Sequence, residues 1–89
     1  AVKVVEKDLR SAEREEKKAQ ELFEKAHAAL DAVDQLMANP VEFKKVSSEP
    51  DFYARYEALQ KESERTFGLW EKASAELERC QKAWEAIAP

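Results

Sequence analysis

The chain has 89 residues, of which 38% are charged, with one glycine, three prolines and a net charge of −4. That length makes one small domain in which a ball-shaped core is only marginally stable, and so little Gly and Pro beside so much charge fits long helices better than a mixed fold. The acidic balance argues against a wholly basic nucleic-acid module, and no apolar run approaches the roughly 18–20 residues of a membrane span.

Helix 1 is predicted over about residues 3–38, a stretch rich in Ala, Glu, Lys and Leu without Gly or Pro. Its seam runs Val5, Leu9, Ala12, Glu16, Ala19, Phe23, Ala26, Leu30, Val33 and Met37, with the 3.5-residue period of a coiled coil. Asn39-Pro40 ends it, because proline cannot continue the hydrogen-bond ladder and disfavours helical geometry in the residue before it. The same pair starts a short helix over about Pro40–Val46, with Asn39 as N-cap, Pro40 at the first helical position and Glu42 completing a capping-box pattern. Val41 and Phe43 are then available to plug the end of the hairpin. A second start is read at Ser48, with Pro50 just inside, so that helix 2 is predicted from about Glu49 to Ala88. Its seam runs Phe52, Tyr56, Leu59, Ser63, Thr66, Trp70, Ala73, Leu77, Cys80, Trp84 and Ile87, with Gly68 at an outward position.

The two seams share one antiparallel register in which facing residue numbers add to 89. Bulk then meets gap: Phe23 faces Thr66, Ala19 faces Trp70, Ala12 faces Leu77 and Leu9 faces Cys80. A parallel pairing of two chains would set Trp70 against Trp70 and leave the alanine layers hollow, and such voids cost roughly 24 cal/mol per Å³. The expected fold is all-α: a single domain over residues 1–89, an antiparallel two-helix coiled-coil hairpin with a short helix in its connector, residues 39–48. Glu16 opposite Ala73, Ala26 opposite Ser63, and the hydroxyls of Ser63 and Thr66 make its middle layers weak. Leu22, Phe67 and Leu69 flank this region and are too apolar for ordinary flanking positions. They either widen the seam or form a docking surface.

The residues offer little for catalysis. His27 is the only histidine and Cys80 the only cysteine, and this register keeps them far apart. No phosphate-binding loop and no H-E-x-x-H occurs. The carboxylates lie on solvated faces without the cleft that acid–base chemistry needs. No catalytic residue, metal or cofactor is therefore expected in the hairpin itself. The outer face of helix 1 is more informative. Lys3, Lys7, Arg10, Arg14, Lys17 and Lys18 recur at helical spacing over roughly 20 Å, at 1.5 Å per residue. Such a row can track nucleic-acid phosphates, or it can serve as the solvated partner of Glu6, Glu13 and Glu21 through i,i+4 pairs. Lys44 and Lys45 add charge at the connector beside Phe43, Phe52 and Tyr53, where aromatic rings either stack on bases or cap the hairpin.

The run Asn39-Pro40, Asp51-Phe52-Tyr53, Tyr56-Glu57-Ala58-Leu59 and Trp70-Glu71 resembles the C-terminal coiled-coil domain of ABC-F proteins over nearly the whole chain. In that family a long helix ends near such a step, and the return helix carries Y-E-x-L followed by W-E. The resemblance implies a non-catalytic accessory arm of a soluble, two-cassette ATPase, contacting DNA, RNA or the ribosome through the basic stripe. The absence of a starting Met fits a domain excised from a larger protein. A lone cysteine excludes an internal disulfide and fits a reducing cytoplasm. Beyond the rest of the parent ATPase no membrane partner is expected, and the chain should be monomeric or self-associate weakly. A structural or protein-docking hairpin, and a tRNA-contacting arm like those of some aminoacyl-tRNA synthetases, remain open alternatives.

Overall fold

The computed structural model describes residues 2–88. Helix α1 spans Val2–Ala38, α2 spans Pro40–Val46 and α3 spans Phe52–Ile87. The long helices α1 and α3, of 37 and 36 residues, pack antiparallel into a rod of 62 × 19 × 13 Å, and α2 closes the far end against α1. Among the described residues no helix is long and apolar enough to cross a membrane.

The 3.5-residue period accounts for what is buried. Apart from Ile87, which is exposed at the open end, every residue of the two seams is buried or half-buried. Trp70 marks the register. Its indole N–H donates to Glu16 Oε1 at 2.7 Å and its ring stacks on Phe23 at 5.4 Å, so it lies across the buried Ala19, midway between them. The most deeply buried side chain is polar: Thr66 is 1% exposed. Its hydroxyl donates back to the carbonyls of Glu62 (2.8 Å) and Ser63 (3.1 Å), which satisfies it inside its own helix. Thr66, one of the two hydroxyls predicted to weaken the middle layers, is thus satisfied without a partner from α1.

The connector departs from expectation in three places. Asn39 caps α2 as predicted, its side-chain oxygen accepting from the backbone N–H of Val41 (3.0 Å) and Glu42 (3.3 Å). The reciprocal half of the capping box does not form, because the Asn39 N–H donates to Leu36 O and the Glu42 carboxylate pairs with Lys45 at 3.7 Å. Helix α3 starts at Phe52 and not near Glu49, since the Ser48 hydroxyl donates back to Lys45 O at 2.7 Å and so closes α2 instead of capping α3. Finally, Val41 faces solvent and plugs nothing. The end is closed by Phe43 against the buried Phe52 (6.3 Å), which also meets Tyr53 and Tyr56, with Val46 half-buried beside them.

Gly68 lies inside α3 without a positive φ, and a Cβ built there meets nothing within 4 Å. Alanine at this position gains helix propensity at no steric cost, so Gly68→Ala is expected to stabilise the fold by about 1 kcal/mol. Thermal unfolding checks this, with a rise in Tm of about 4–8 °C for a domain of this size.

Candidate binding surfaces of the hairpin

Neither long helix builds a cleft, so the functional surfaces are its two sides. One side is defined by a depression that Arg10, Arg14 and Lys17 of α1 share with Leu77 and Gln81 of α3. The other is defined by a depression that Asp8, Ser11 and Glu15 share with Glu76 and Arg79. Heptad steps from these residues place the rest, since positions seven apart return to the same side of a coiled-coil helix.

On the first side the basic stripe is a real cluster. Lys3, Lys7, Arg10 and Arg14 line one shallow depression, and Lys17 joins the next one along with Arg10 and Arg14. Of the three i,i+4 pairs that would neutralise the stripe, only Glu6–Arg10 forms. Lys3, Lys7, Arg14 and Lys17 have no carboxylate within 4.0 Å among the described residues. Lys18 lines neither depression; it follows Arg14 by one turn on the outer face of α1 and lies seven residues after Ser11, on the edge toward the other side. Lys44 and Lys45 lie on α2 at the closed end, beside Pro40 and Val41. The stripe also ends abruptly. The rows that begin Lys3, Arg10, Lys17 and Lys7, Arg14 continue as Glu24, Asp31 and Glu21, so the outer face of α1 changes sign at its midpoint. That reversal is visible in the sequence once each outer row is followed by sevens.

The three flanking apolar residues separate as well. Phe67 belongs with the stripe side, packing on Phe23 (5.3 Å) and Trp70 (6.3 Å), while His27 stacks on the same Phe23 ring at 5.5 Å. Leu22 and Leu69 fall on the opposite side, seven residues from Glu15 and Glu76. No family model matches the chain, and comparison with curated proteins and solved structures finds no significant match.

Electrostatics sort the acids into committed and free. Hydrogen bonds from Arg65 and Arg79, reinforced by their charge, hold the Glu62 and Glu76 carboxyls below the usual carboxylate range. Tyr56 behaves oppositely. Its hydroxyl donates to Asp34 Oδ1 on the facing helix, and that bond raises the phenol above its ordinary value, with desolvation and the Asp34 charge adding to it. Sequence reasoning missed this contact because Asp34 lies outside the seam; the only available signal is an acid next in sequence to Val33, the residue facing Tyr56.

Because folding raises the Tyr56 pKa, its contribution to stability is complete below the unfolded value of about 10 and is lost as pH rises through the folded value. Alkaline titration followed by tyrosinate absorbance should therefore place one tyrosine high, and Asp34→Ala should return it toward about 10.

Proposed function

We propose that this chain is a non-catalytic binding arm that contacts nucleic-acid phosphates through Lys3, Lys7, Arg10, Arg14 and Lys17 of α1. In this reading it is the accessory arm of a cytoplasmic ATPase of the ABC-F kind, acting on DNA, RNA or the ribosome. The observation that supports it is the incomplete neutralisation of the stripe: only Arg10 among the five has a carboxylate partner among the described residues. Ammonium and guanidinium groups left to water on a rigid helix release counterions when they meet phosphates, and that release drives sequence-independent binding.

Geometry restricts the approach. Glu78 and Glu85 of α3 are within one turn of Gln81, on the same side as the stripe, and repel a polyanion lying over the groove between the helices. The sign change beyond Lys17 excludes contact along the closed half of α1. A phosphate backbone is therefore met from the outer face of α1, over the open half of the rod. Lys18, one turn beyond Arg14, borders that contact, and Lys44 and Lys45 lie apart from it on α2 at the closed end.

Binding to labelled single-stranded RNA and duplex DNA, followed by fluorescence anisotropy across a salt series, tests the reading. About five phosphate contacts give a slope of log K against log salt of about −3.5 to −4.5. The triple variant Lys7→Glu/Arg14→Glu/Lys17→Glu should remove most of the affinity and flatten the slope. Salt-independent binding, or full affinity in the triple variant, would refute the proposal.

A further inference from the structure

The side opposite the stripe carries a second row that the first seam does not use. On α1, Leu22, Ala29, Ala32 and Leu36 lie on positions one out of phase with the seam packed on α3, with Lys25 at their outer edge. The closed half of α1 therefore has an apolar arc wider than one partner helix covers. Leu22 is 45% exposed and Leu69, on the same side of α3, is 39% exposed, while Ala29 and Ala32 are also open to solvent. The row leads into a depression of about 280 Å³ lined by Val33, Leu36, Phe52 and Leu59, with Arg55 among its walls.

Charge on this side decides what fits. Lys18, Lys25 and Lys72 edge the row, and none has a carboxylate within 4.0 Å among the described residues. On this side of α3 the acids Glu62 and Glu76 are already engaged by Arg65 and Arg79, and Glu71, next to Lys72, is on the row of Glu78 and Glu85 on the stripe side. We propose that this face binds an amphipathic helix of another protein whose apolar row is flanked by Asp and Glu. The helix lies along the closed half of the rod as a third helix. Its anchors at i, i+4, i+7, i+11 and i+14, about 21 Å end to end, sit over Leu22 and Leu69 and in the depression beside Leu36, and its carboxylates meet the three lysines. A second copy of this chain does not meet these requirements. Its own acidic rows, Glu24 and Asp31 with Glu57 and Glu64, lie on the stripe side beside one exposed ring, Phe67, and not beside an apolar row. Pairing that side with this one is head-to-tail and does not close.

The proposal is independent of the nucleic-acid reading, and one titration separates them. A fluorescein-labelled helical peptide of roughly 20 residues, with leucine anchors at that spacing and glutamate flanks, is titrated with the chain and compared with a lysine-flanked counterpart. The glutamate-flanked peptide should bind, and Leu22→Ser/Leu69→Ser should weaken it by at least about tenfold. Both leucines are exposed, so helicity by circular dichroism should be retained. The surface pair Lys25→Glu/Lys72→Glu should weaken it as well, whereas Lys7→Glu/Arg14→Glu/Lys17→Glu should not. Equal or tighter binding of the lysine-flanked peptide, or indifference to both pairs, overturns the proposal. So does a dimer in sedimentation equilibrium that Leu22→Ser/Leu69→Ser dissociates, since that assigns the face to a second copy, or RNA binding lost in Lys25→Glu/Lys72→Glu.

Discussion

Two helices side by side have a seam and no interior, so a ring as large as Trp70 can be covered only if the facing helix makes room for it. Ala19 makes that room, with Glu16 and Phe23 as walls one turn to either side. The same fit recurs at other heptads, since a shift by seven residues would set Trp70 on Ala12 or Ala26, which are equally small. What such a shift loses is the pairing of Trp70 with Glu16 and of Tyr56 with Asp34. The alternation of bulk and gap therefore favours antiparallel packing, and these two polar pairs belong to the one alignment in which facing numbers add to 89.

Polar groups in the seam are consistent with this packing where they find partners. Thr66 returns its hydroxyl to its own helix, and Trp70 and Tyr56 reach carboxylates that remain partly in water. A carboxylate at a seam position of a half-exposed pair is not a buried charge, and it lends direction that apolar contacts lack. Two interhelical hydrogen bonds, near the middle and near the closed end, thereby favour this one register among those the heptads permit.

What was legible in the sequence is what repeats. The period of seam residues is intrinsic to each helix, and the complementarity of Ala19 with Trp70 could be read without coordinates. The start of α3 could not, because Ser48 can serve either helix and the outcome depends on where its hydroxyl finds a free carbonyl. The closed end shows the same limit. Val41 and Phe43 looked equivalent as plugs, yet only Phe43 reaches Phe52, while Val41 is left in water. Among the candidate binding residues, the clustering of Lys3 to Lys17 was readable from spacing, whereas the parting of Phe67 from Leu22 and Leu69 requires knowing which flank each heptad position occupies. The two sides consequently carry different chemistry on one scaffold. Cations without acidic partners mark the open half of one side, and an apolar row edged by lysines marks the closed half of the other.

The antiparallel alignment of α1 with α3 is tested most directly by a distance between spin labels at Lys7 and Lys82, in a Cys80→Ser background so that the buried native thiol takes no label. Helices packed side by side hold these positions at the same level of the rod, so pulsed dipolar spectroscopy should return one narrow distribution below about 35 Å, the helix separation plus two label arms. A distance beyond about 80 Å, as in a continuous helix with a rise of 1.5 Å per residue, would contradict the hairpin and every surface assigned to it.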